Sequence, residues 1–170
     1  IRNFPYYSDL GNSEYYFEKT VEIMKLLNDL QTRGSEINRK QSVLESKETN
    51  FDIIEAEIKA FQKFAQLWEF IWDRWTPIVE KWWKGNFHDL NKFEMANTLN
   101  HGQDLLKKLY DEFFEAPKIQ EIIKGKQTDV ERHQNIYTHI MILKDASFKE
   151  RHWEAFFNEI KEKDKGTGGV

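Results

Sequence analysis

Apolar side chains recur at steps of three and four along most of this chain, the period of a helix with one buried face. Only Pro5, Pro77 and Pro117 interrupt the pattern. From Ser13, a good N-cap residue, the series Phe17, Val21, Met24, Leu27 and Leu30, continued past Gly34 by Ile37 and Leu44, predicts a first long helix. Its second half is polar on every side, which predicts weak packing on a neighbour. Ile1 to Leu10 shows no sustained period, so residues 1–12 are expected to form an irregular connection ahead of a helical segment spanning 13–163.

Thr49, Asn50 and Asp52 supply start signals for a second helix. Its apolar seam runs Ile54, Ile58, Phe61, Ala65, Trp68, Trp72, Trp75, Val79 and Trp82. Alternating steps of four and three follow a 3.5-residue repeat, which favours supercoiled pairing with another helix. Pro77 should remove one backbone hydrogen bond and bend this helix, unless it stops and restarts there. Gly85 then ends it. Asn91 can cap a third helix with Glu94 in the capping-box position, and its predicted apolar face is Phe93, Ala96, Leu99, Leu106, Leu109 and Phe113.

Pro117 closes that helix or opens a short one through Ile119 to Lys124. Thr128 is a candidate cap for a further helix carrying Val130, Tyr137, Ile140, Met141 and Leu143. Ser147, with Glu150 three residues on, is a candidate cap for the last helix, lined by Phe148, His152, Phe156 and Ile160. The Gly-rich end, 164–170, reads as frayed or truncated. The fold class predicted is all-α: an elongated, rod-like helical bundle of long antiparallel helices.

Composition narrows the chemistry. The 170 residues contain no cysteine, which removes disulfides, thiolate nucleophiles and Cys-ligated zinc. Charge is balanced at 25 basic against 29 acidic side chains and is interspersed, so there is no basic stripe for a phosphate backbone and nucleic acid is not expected as a partner. A mean hydropathy of -0.75, without an apolar run of the roughly 20 residues a membrane span needs, and without a basic-then-apolar leader, predicts a soluble chain with no membrane partner and no export signal.

Five of the six tryptophans fall between Trp68 and Trp83. An indole platform for sugars, bases or a flat cofactor is one reading. The spacing favours another, because Trp68, Trp72, Trp75 and Trp82 continue the aliphatic seam and so form a core or interface. Trp83 lies off that face and is the one expected to meet a different neighbour or a partner protein. The five histidines include no Glu-x-x-His or His-Glu-x-x-His pattern, so a helical metal site has no sequence support. Asp129 and His133 share a face at i and i+4, a spacing more typical of a surface contact than of half a metal site. No P-loop and no Gly-x-Ser-x-Gly turn occurs. No catalytic, cofactor or metal residue is nominated.

Several stretches together carry a resemblance. Glu36-Ile37-Asn38, Val43-Leu44-Glu45 and Thr49-Asn50-Phe51 lead into Phe61-x-x-Phe-Ala-x-Leu-Trp68. Next come Trp82-Trp-Lys-Gly85-Asn-Phe87, then Leu90-x-x-x-x-Met95 and Leu105-Leu-Lys-Lys-Leu109. Last is Leu143-Lys-Asp-Ala-Ser-Phe-Lys-Glu-Arg-His-Trp153, with Lys149 to Trp153 the most specific part. This order resembles the dynein heavy chain where its tail passes into the linker, N-terminal region 2, over roughly Leu26 to Ile160.

The resemblance implies a noncatalytic, force-transmitting segment of an ATP-driven microtubule motor. ATP and magnesium would bind only in an AAA+ ring downstream. The implied partners are the rest of the heavy chain with that ring, and other dynein heavy, intermediate and light chains. The implied place is the cytoskeleton, and the wording of Leu67 to Phe87 points to the axoneme of a cilium. Trp68, Trp72, Trp75, Trp82, Gly85, Phe87, Arg151, His152 and Trp153 would be a structural signature, with Trp153 packing and Arg151 bonding to carbonyls or carboxylates. A generic helical-bundle scaffold or adaptor is the alternative that composition and seam alone support. A helical-bundle metalloenzyme is a third, which elemental analysis would test.

Overall fold

A computed structural model describes residues 9–145 and 147–166, with side chains through residue 161. The expected irregular start at residues 1–8 and the Gly-rich end at 167–170 lie outside the described residues. Every regular element among those described is helical. The α-helices are α1 (Ser13–Val43), α2 (Asp52–Trp68), α3 (Thr76–Lys84), α4 (Lys92–Glu112), α5 (Pro117–Leu143) and α6 (Glu150–Gly166). Among the described residues no helix is long and apolar enough to cross a membrane.

Antiparallel pairing follows from which ends touch. Tyr16, in the first turn of α1, packs on Trp68 at the end of α2 with ring centroids 4.7 Å apart. Gly34, near the end of α1, lies against the Phe51 ring ahead of α2. The second hairpin is α4 with α5, where the Gln120 side chain donates to the Tyr110 carbonyl across the turn between them. One core joins the hairpins, built on Phe61, Phe64, Leu67, Trp68, Phe70, Ile71 and Trp75 from one side and Leu99, Leu106, Leu109, Phe113, Ile119, Ile123 and Val130 from the other.

The α1 face differs from the one its leucines predict. Tyr16, Thr20, Leu27 and Gly34 are buried, while Val21, Leu30, Ile37 and Leu44 are exposed. Small and polar residues occupy the contact because α2 approaches closely there: a Cβ at Gly34 would lie 3.1 Å from the Phe51 ring. Nor does Ser13 cap α1. It is the first helical residue, and the Asp9 side chain caps the preceding 3-10 turn at Leu10–Asn12.

Asp52 to Lys84 is helical without a break, but its winding changes. Glu69–Trp75 is a π-helix, in which the Thr76 N–H donates to the Ile71 carbonyl five residues back. This wider turn shifts the phase of the seam. Phe70, Ile71 and Trp75 turn inward, and Trp72, expected in the buried face, is only half-buried. Pro77 follows directly. It lacks an N–H, and it stands in the first turn of α3, where ordinary α winding resumes. The Thr76 hydroxyl takes up the Ile71 carbonyl as well, at 2.7 Å.

Two further corrections concern boundaries. Residues 117–143 form one helix, not a short helix followed by a second. Thr128 caps nothing; its hydroxyl donates to the Lys124 carbonyl one turn back, inside α5. The last helix starts at Glu150 and not at Ser147. On α4, Asn91 caps as predicted, accepting from the N–H groups of Phe93 and Glu94, but Phe93 points to solvent and Met95 is buried in its place.

Candidate functional site

Two indole hydrogen bonds tie the π-helix and α3 to α5. Trp75 is 1% exposed. Its indole Nε1–H donates to Asp129 Oδ2 at 2.8 Å. Two turns further on, Trp83 Nε1–H donates to His133 Nε2 at 3.2 Å. Since Nε2 accepts, the imidazole proton sits on Nδ1 and donates to the Asp129 carbonyl at 2.8 Å. The Asp129 carboxylate also faces the ring, with Oδ1 3.5 Å from Nδ1, and Lys126 Nζ stands 3.7 Å from Oδ2.

Around this chain of bonds the aromatic rings pack edge to face. Trp75 meets Trp82 at 6.1 Å and His133 at 5.3 Å, and Trp83 meets His133 at 6.1 Å. Edge-to-face contacts of this kind add about 0.5–1.5 kcal/mol beyond area burial. Trp83, placed off the seam by its spacing, is 63% exposed and yet its N–H is tied to α5. Asp129 and His133 do more than the surface contact their spacing suggests, because both accept an indole donor from a helix some 50 residues earlier.

A second junction closes the other end of the α3–α5 contact. Gly85 ends α3 in extended conformation and its N–H donates to the Lys81 carbonyl; a Cβ there would fall 2.5 Å from that carbonyl oxygen. Glycine is required by this close approach and not by a left-handed backbone. The chain then turns through Phe87, His88 and Leu90, and the Lys144 ammonium at the end of α5 donates to all three carbonyls, at 3.1, 2.9 and 2.5 Å. An ammonium has three N–H groups, so the set is complete. Nothing in the sequence around Lys144 distinguishes it from a solvated lysine.

Phe87 also meets the α6 signature. The Trp153 ring sits edge-on to Phe87 at 5.6 Å and to Phe148 at 4.9 Å, and stacks on Phe157 at 5.9 Å. The Lys149 N–H donates to His152 Nδ1 at 3.0 Å, capping the start of α6. Arg151 Nε lies 3.3 Å from His152 Nε2. A neutral imidazole has one acceptor nitrogen, so these two bonds alternate and the shorter one from Lys149 is favoured. The Arg151 Nε–H thus faces the ring of its neighbour.

These are two clusters: Trp75, Trp82 and Trp83 surround His133, whereas Phe87 and Phe148 meet Trp153 at the α6 contact. Trp68 belongs to neither and packs deep against Tyr16, its Nε1 buried without a hydrogen-bond partner. Among the described residues no group of three or more His, Asp or Glu side chains could hold a metal ion. The arrangement fastens one long helical stretch to α5 at two heights.

Residues 51–168 match the family model of the dynein heavy chain, N-terminal region 2. Axonemal dynein heavy chain 1 from mouse is 22% identical over 162 residues, 94% of this chain. The human protein of that name is 20% identical over the same share. Human axonemal dynein heavy chain 3 is 21% identical over 137 residues, 81% of the chain. The chain spans about 4% of the length of the heavy chain 1 relatives and 3% of heavy chain 3. No solved structure matches. With the family model covering most of its length, the chain belongs to the dynein heavy chain N-terminal region 2 family.

Proposed function

We propose that this chain is a noncatalytic, force-transmitting segment between tail and linker of an axonemal dynein heavy chain. The reading is supported above all by the bond from the buried Trp75 indole to Asp129, which locks the Asp52–Lys84 helical stretch to α5 beside its change of winding. A segment that carries load must hold its shape while neighbouring parts move. Buried aromatic contacts give resistance to deformation, because close-packed side chains have discrete arrangements and little compressibility.

In this proposal ATP and magnesium bind a downstream AAA+ ring, and no residue of this segment takes part in hydrolysis. Its partners are the rest of the heavy chain and the other heavy, intermediate and light chains of the complex, in the axoneme of a cilium. The test is Trp153→Ala in a full-length heavy chain. Microtubule gliding is expected to slow while nucleotide binding is retained, since Trp153 joins α6 to Phe87. Gliding at the unaltered speed would overturn the assignment.

A further inference from the structure

His133 is a buried titratable side chain, 7% exposed, that the load-bearing reading does not use for its charge. We propose that Trp83, His133 and Asp129 form a proton-controlled latch between α3 and α5, closed while the imidazole is neutral and opened at Trp83 when it takes up a proton.

The geometry dictates the sense of the switch. In the neutral ring, Nε2 offers the lone pair that Trp83 Nε1–H needs, and Nδ1–H is already engaged by the Asp129 carbonyl. An added proton can therefore go only to Nε2. Two N–H groups then face each other at a separation of 3.2 Å, and the Trp83 bond is lost. The proton does not expel the ring. The Asp129 carboxylate, 3.5 Å from Nδ1, gains a charged partner. The Trp75 ring, edge to face at 5.3 Å, remains a neighbour that an imidazolium can also pack against. The charge-bearing groups facing the ring are Asp129 and, beyond it, Lys126, both from α5; the π-helix and α3 present the indoles of Trp75, Trp82 and Trp83.

Only one of the two ties is sensitive. Trp75 donates to the Asp129 carboxylate, which accepts whether or not His133 is charged. Trp83 is already 63% exposed, so its indole can swing into water without opening the core. Protonation thus loosens the far end of α3 and leaves the π-helix end fastened. The latch is a property of this chain and stands whether or not the motor assignment does.

The experiment follows the indole N–H resonances of the whole chain from pH 8 to pH 5, with Trp83 assigned by its loss in Trp83→Phe and the His133 ring protons recorded in parallel. The Trp83 N–H signal is expected to move in one step with the midpoint of the His133 ring, while the Trp75 signal remains hydrogen-bonded throughout. His133→Gln, whose amide carbonyl can accept but does not titrate, should abolish the step. A Trp83 signal that stays constant while His133 titrates, or the same step surviving in His133→Gln, overturns the latch. Iodide quenching of the wild type minus that of Trp83→Phe gives a reading that needs no histidine variant. Because Trp83 starts 63% exposed, it should rise by at most about 1.6-fold between pH 8 and pH 5, and a constant difference overturns the proposal.

Discussion

The Phe70 ring lies so close to Gly102 that a Cβ on that glycine would fall 2.9 Å from Cζ. The contact joins the π-helix to the middle of α4, and Phe70 is held in place because it is 2% exposed and stacks on Trp75 at 5.8 Å. Alanine at Gly102 improves helix propensity by about 1 kcal/mol but pushes on a ring with nowhere to go, a penalty of about 1–3 kcal/mol. Gly102→Ala should therefore destabilise the chain on balance in urea unfolding.

Gly125→Ala is the matching control. Nothing lies within 4 Å of a Cβ built there, and the residue is inside α5. Stability should rise by about 0.5–1 kcal/mol, through helix propensity alone. A loss at this position would mean that α5 is not continuous.

Trp75 and Trp72 differ in what they bury, although spacing places both on one seam. Trp75→Ala removes a ring that is 1% exposed and a bond to Asp129, and should lower unfolding stability by about 3–5 kcal/mol. Trp72 is half-buried, so Trp72→Ala should lower it by about 1–2 kcal/mol. Equal losses would mean that the wider turn between Glu69 and Trp75 does not exist.

The structure perturbs the titration of Asp145. The Ser147 hydroxyl, then the Ser147 N–H, hold its carboxyl below the ordinary aspartate value. A depressed value in the folded state means that the carboxylate's contribution is present above the unfolded value and is lost as pH falls through the folded one. Carbon-13 titration of Asp145 should therefore give a midpoint below an ordinary aspartate, and Ser147→Ala should raise it.

How much of this was legible in the sequence depends on the kind of signal. Helix content, the Asn91 cap and the positions Leu99, Leu106, Leu109 and Phe113 could be read because capping and apolar spacing are local. The contact face of α1 could not, since Thr20 and Gly34 are buried by the closeness of α2 and not by their own hydrophobicity. The continuity of α5 had a signal that was overridden: Ile119, Ile123, Lys126, Val130, His133 and Tyr137 keep helical spacing straight through Gly125 and Thr128, but two members are polar.

The junction itself was half visible. The tryptophan cluster is conspicuous in the sequence, while its acceptors are ordinary residues, an aspartate and a histidine far along the chain. Lys144 is the extreme case, because its role depends on three carbonyls that a turn far from it in sequence happens to aim at one point. The π-helix left a trace in Pro77, which marks where ordinary winding has to be resolved, although proline alone does not say how.

The central claim is that this segment carries load. It is tested most directly by the stall force of a full-length heavy chain bearing Trp75→Phe, measured in an optical trap beside its ATP turnover. Phenylalanine keeps a buried ring but cannot donate to Asp129. The account predicts a lower stall force at unchanged turnover. Stall force and turnover falling in proportion, or neither changing, would contradict it.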